Sequence, residues 1–125
     1  MAQTFTKIPL SGSTDGRNIK VVATATAGTT IHTATSSTGS DSIDEVYIWA
    51  NSTSTSAISL TIQTTSSPGD EGESWNARVP SAYNGPILVM PGFSFRNGVV
   101  ITATASTANR VNLSGFVNRI SGQSS

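Results

Sequence analysis

Residues 86–106 read PILVMPGFSFRNGVVITATAS, and the pattern of this stretch decides the fold class. Val99, Ile101, Ala103 and Ala105 recur at every second position, the period of a strand with one face buried. Asn97-Gly98 stands just before them. This pair tolerates positive φ at both central positions of a type I′ turn, so it predicts a β-hairpin. The run from Ile87 to Met90 is apolar at every position, as expected of a central strand covered on both faces, and Pro91-Gly92 reads as a turn after it. Phe93 and Phe95 share one side of the short piece between the two turns, either as plugs at an end of the core or as an exposed contact patch.

The same period recurs along the chain. Ile19, Val21 and Ala23 share one face, as do Val46, Ile48 and Ala50, then Ile58, Leu60 and Ile62, then Val111 and Leu113, until Gly115 interrupts the last run and suggests a bulge. Turn-forming clusters such as SGSTDGRN, SSTGSDS, SSPGDEG and SAYNGP separate the runs, and no segment carries a capped helical period. The expected fold is all-β: an antiparallel β-sandwich, jelly-roll-like, with about eight strands in two packed sheets. Residues 1–16 are expected to form an N-terminal arm or edge segment that docks on a neighbouring subunit through Phe5, Ile8 and Leu10. Residues 17–120 form the sandwich and residues 121–125 a flexible tail.

Composition excludes several function classes. Only 11% of the 125 residues are charged, with seven acids balancing seven bases, so no field steers the chain onto nucleic acid or an anionic membrane. There is no cysteine, hence no disulfide or thiolate chemistry, and no stretch of about 18 apolar residues to span a bilayer. The opening MAQTFTKIPL lacks an apolar signal region, and a soluble protein made in the cytoplasm is the simplest expectation.

The residues that could carry chemistry are few. His32 is the only histidine; it lies in TTIHTAT with no nucleophile elbow in the chain, and reads as an ordinary polar strand position. Asp41, Asp44 and Glu45, and then Asp70, Glu71 and Glu73, fall in two acidic clusters that match no EF-hand spacing and read as solvated loops. No catalytic residue, metal ligand or cofactor is expected, and the protein is expected not to be an enzyme. Tyr47, Trp49, Trp75 and Tyr83 could instead serve a carbohydrate-binding module as stacking platforms. If Val46, Ile48 and Ala50 point inward, Tyr47, Trp49 and Asn51 must share the outer face, where either a neighbouring subunit or the SSPGDEGESWN loop would cover the two rings.

The segments IPLSGSTDGRNIKVVATATAGTTIHTA, DEVYIWANSTS, PGFSFRNGVVITATA and NLSGFVNRI resemble a group of short virion structural proteins of tailed bacteriophages. The resemblance covers most of the chain, but it rests on strands and turns and not on chemical signatures. It implies a non-enzymatic virion protein made in the bacterial host cytoplasm. Among virion roles, a head decoration or cement protein on the capsid surface fits best, a homo-oligomer, trimeric by preference, partnered with the major capsid protein. A tail or head-to-tail connector component is the nearest alternative. The candidate interface residues are Phe5, Ile8, Tyr47, Trp49, Phe93 and Phe95.

Overall fold

The alternating runs become strands in the computed structural model, which describes residues 4–25, 28–36, 42–64 and 74–121. In chain order these are β1 (Thr4–Pro9), β2 (Ile19–Lys20), β3 (Thr29–Thr33), β4 (Ser42–Ser52), β5 (Ile58–Gln63), β6 (Ser74–Val79), β7 (Ile87–Phe95), β8 (Val100–Ala105) and β9 (Val111–Ser121), with one 3-10 turn at Ala82–Asn84. They build two antiparallel sheets. Sheet A has the order β1-β9-β4-β7, with β2 also paired to β9, and sheet B has the order β3-β8-β5-β6.

Because β1 and β2 lie along the same strand β9, they act as two halves of one edge strand interrupted at residues 10–18. Counted that way, the chain is one long hairpin of eight strands in which the first pairs with the last, β3 with β8, β4 with β7 and β5 with β6. Successive pairs go to opposite sheets, which is a jelly roll. The core lies between the sheets and is built from the predicted inward sets Val46, Ile48 and Ala50, Ile58, Leu60 and Ile62, Ile101, Ala103 and Ala105, and Val111 and Leu113, which Val117 joins beyond Gly115, where the sequence pattern suggests the run is interrupted.

Four local expectations change. The apolar run Ile87–Met90 belongs to an edge strand, since among the described strands β7 pairs only with β4, and its outward Leu88 is 46% exposed. Pro91-Gly92 is no turn: β7 runs through it, and the ladder skips Val89 and Gly92 at two irregularities. A proline without an N–H is tolerated on an edge, and such irregularities blunt an edge against strand addition. Asn97 and Gly98 do have positive φ, 62° and 69°, and Val99 N–H returns to Arg96 O at 3.4 Å, as in a type I′ turn. The turn makes no hairpin, however, because it carries the chain from β7 in sheet A to β8 in sheet B. Gly115 marks no bulge in the β9–β4 ladder, which continues unbroken through it opposite Ile48. Its lack of a side chain answers to a close approach, since a Cβ there would strike the Tyr47 carbonyl oxygen.

At the N-terminus, Thr4–Pro9 pairs with β9 of its own sheet, residue for residue from Thr4 opposite Ser121 to Pro9 opposite Phe116. The chain then crosses to sheet B: Leu10 is buried, Gly12 N–H donates to Ile31 O at 2.8 Å, and Thr33 N–H donates to Ser11 Oγ at 2.7 Å. This strap closes one side of the sandwich. The other side is closed by rings. Trp75 on β6 stacks on Phe93 of β7 at 5.6 Å and meets Phe95 edge-on at 6.3 Å.

Gly98 has open space around its Cα, so only its backbone conformation restricts substitution. Gly98→Val forces a β-branched residue to positive φ and should cost about 1–3 kcal/mol. Thermal melts should show a lower midpoint for Gly98→Val, and an unchanged midpoint would contradict the turn geometry.

Candidate functional site

Two arrangements of side chains stand out: a buried polar cluster joining the sheets, and an aromatic outer face on sheet A.

The cluster centres on Asp44, whose side chain is 0% exposed. Both Asp44 and Arg119 lie on the inward parity of their strands, directly opposite each other across β4 and β9. Arg119 Nε donates to Asp44 Oδ1 at 2.7 Å and its Nη2 to Oδ2 at 2.9 Å, a two-pronged pairing that matches guanidinium to carboxylate. Oδ2 also accepts from Thr35 N–H at 3.0 Å and contacts His32 Nε2 at 2.9 Å. His32 is fully buried as well. A register shift between Thr30 and His32 turns two consecutive residues, Ile31 and His32, toward the interior, where strict alternation would have put one of them outside. His32 is therefore no ordinary polar strand position, and Asp44 is no solvated loop residue.

Geometry fixes the histidine's proton. Ser11 N–H donates to Nδ1 at 3.0 Å, so Nδ1 must be the bare acceptor nitrogen and Nε2 carries the hydrogen given to Asp44. His32 is thus a neutral bridge, and the charge pair is Asp44 with Arg119. Burial opposes ionisation of Asp44, but the hydrogen bonds from Arg119 and His32, the Arg119 charge and the Thr35 N–H outweigh it and hold the carboxyl below its ordinary range. With both ring nitrogens engaged and no exposure, His32 has no atom to offer a substrate. Among the described residues no group of three or more His, Asp or Glu could hold a metal ion.

The outer face of sheet A follows from the strand registers. One row across it is Phe5, Ile120 and Ile43; the next is Lys7, Asn118, Glu45 and Ser94; then come Pro9, Phe116, Tyr47 and Pro91; then Ser114, Trp49 and Leu88. Tyr47 stacks on Phe116 with centroids 4.9 Å apart and planes at 19°, and Trp49 lies 6.0 Å from Phe116. Lys7 Nζ sits 4.3 Å from the centroid of the Phe116 ring. Tyr47 O–H donates to Glu45 Oε1 at 2.8 Å, which Asn118 Nδ2 also reaches at 3.3 Å. That carboxylate favours the protonated phenol, with smaller contributions in the same direction from burial and from the Glu45 charge, and raises Tyr47 above its ordinary value.

No protein-family model, curated protein or solved structure matches this chain.

Of the candidate interface residues, Tyr47 and Trp49 lie half-buried on the sheet A outer face, and Phe5 lies on the same face, 66% exposed. Ile8 packs against the core from β1. Phe93 and Phe95 lie elsewhere, between the sheets at the β6–β7 side, Phe95 against the core and Phe93 37% exposed. Phe116, the centre of the aromatic stack, was not singled out in the sequence. Its parity opposite Val117 was the available signal. The proposed platform residues do not converge, because Trp75 lies between the sheets and Tyr83 in the β6–β7 connection. Asp41, Asp70, Glu71, Glu73 and most of the SSPGDEGESWN loop lie outside the described residues.

Asp44→Ala removes the acceptor of four hydrogen bonds and strands Arg119 beside a buried gap. Chemical denaturation at neutral pH should show a loss of about 3–5 kcal/mol. The carboxyl titrates lower in the folded chain than in the unfolded one. Its contribution is therefore full above the unfolded value of about 4 and is lost as pH falls through the lower folded value. The stability gap between the native chain and Asp44→Asn should accordingly narrow on acidification, and a gap independent of pH would contradict an ionised Asp44.

Proposed function

We propose that this chain is a non-enzymatic structural protein of a tailed-bacteriophage virion, a head decoration protein that stabilises the capsid shell as a homo-oligomer. The observation that carries the reading is the sheet A outer face. On it, Phe5 and Leu88 are exposed, while Tyr47, Trp49 and Phe116 are half-buried, and among the described residues its charges are few: Lys7 and Glu45 beside the rings and Lys20 opposite Asn112 at one end. Aromatic residues with few charges are what the centre of a protein–protein contact uses. Jelly rolls are a recurrent architecture of viral capsid domains, and the likeness to short phage virion proteins points the same way.

Arrangement of the rings favours a protein contact over a sugar. A sugar-binding platform presents a ring face to the ligand, whereas Phe116 has Tyr47 stacked on it and the Lys7 ammonium over it. Tyr47 is further tied down through its hydroxyl to Glu45. The polar cluster supports the same reading from the other direction, since its atoms are spent on holding the sheets together.

Trp49→Ala should leave the fold and melting temperature near those of the native chain while lowering oligomer or capsid occupancy by about tenfold or more, the scale of an interface hot spot. Occupancy is read by sedimentation of the isolated protein and of reconstituted capsids. Full occupancy by a folded Trp49→Ala variant would contradict the reading, as would glycan binding by the native protein that this substitution abolishes.

A further inference from the structure

Asparagine is followed by glycine at two places, Asn84-Gly85 and Asn97-Gly98. In such a pair the absence of a side chain on the second residue leaves its backbone nitrogen open to attack the asparagine side-chain carbonyl. The two sites differ in what holds that nitrogen. Gly98 N–H donates to Thr35 O at 2.9 Å, a bond that ties the turn between β7 and β8 to the end of β3, and Ala34 N–H to Val99 O at 2.8 Å secures it further. Asn84 closes the exposed 3-10 turn at Ala82–Asn84, and among the described residues no long-range backbone bond of that kind holds the Gly85 N–H. Gly85 has positive φ and nothing within 4 Å of where a side chain would stand. Among the described residues the Asn84 side-chain amide meets a long 3.5 Å contact to Ser81 Oγ on the same exposed turn and no other hydrogen-bond partner.

We propose that Asn84 is a site of spontaneous deamidation, from which Asn97 is protected by the fold. The Gly85 amide nitrogen attacks Asn84 Cγ. The new N–Cγ bond forms as the Cγ–Nδ2 bond breaks, the amide proton leaves with the nitrogen as ammonia, and a five-membered imide remains. Water then opens the imide at either carbonyl, giving aspartate or isoaspartate. The net change is water in and ammonia out, with no oxidation or reduction. The product carries a new negative charge next to Tyr83, the most exposed large aromatic of the chain at 87%. The isoaspartyl form also adds a methylene to the backbone of that loop.

The test is peptide mapping of the folded full-length protein held at mildly alkaline pH, with a denatured sample at the same pH as reference. Heavy-oxygen water labels each opened imide. Asn84 should be converted at least about tenfold faster than Asn97 in the folded protein, because attack at Asn97 first requires opening hydrogen bonds of the turn. In the denatured chain the two rates should come together. Equal rates in the folded protein, faster conversion of Asn97, or an inert Asn84 in a fold whose denatured chain reacts at both sites would each overturn the assignment.

Discussion

One carboxylate decides how the two sheets meet. Asp44 projects from β4 into the space between them and gathers Arg119 from β9, His32 from β3 and the Thr35 N–H beyond β3. An ionised group this buried is tolerable only when its lone pairs are filled, and removing any donor leaves part of that charge uncompensated. Hydrophobic contact between sheets is indifferent to small slips, whereas four directed hydrogen bonds on one carboxylate are not. The cluster therefore sets the offset of β3 against β4 and β9. Through Ser11 N–H on His32 it also sets where the N-terminal strap crosses from sheet A to sheet B. The apolar core supplies most of the driving force for this arrangement, and Asp44 supplies its registration.

With the inside fixed in this way, the outside of sheet A is a rigid display. β4 and β9 run side by side over eleven residues each, so Tyr47, Trp49 and Phe116 are held on adjacent strands at defined spacing. Gly115 lets the two backbones come close where the stack is tightest, and the Lys7 ammonium and Glu45 carboxylate fasten its rim. A face that is set before it meets a partner loses little freedom on binding, which is the property a protein would need if it works by covering a shell.

Much of this was legible in the sequence wherever strict alternation holds. Val46, Ile48 and Ala50 point inward as their spacing requires, and the same parity carried two residues back reaches Asp44, and along β9 from Val117 reaches Arg119. The ion pair was thus readable once the period was extended past its apolar members. His32 was not, because a bulge in β3 breaks the alternation and nothing in TTIHTAT announces it. Composition misled at Ile87–Met90, where an apolar run implied a central strand. Placement in a sheet depends on partners distant in sequence, and the chain beyond β7 goes to the other sheet at Asn97-Gly98. The chemistry of that turn was correctly foreseen, but a turn's local geometry does not say which sheet the next strand joins.

The protonation of His32 tests the central claim most directly, and as the only histidine of the chain it gives an unambiguous signal. Nitrogen NMR of the imidazole at neutral pH should show a neutral ring with the proton on Nε2, in slow exchange with solvent, and a bare Nδ1 accepting from the Ser11 N–H. A proton on Nδ1, a doubly protonated ring, or rapid exchange between tautomers would contradict the account, since none of them is compatible with a cluster closed around the Asp44 carboxylate.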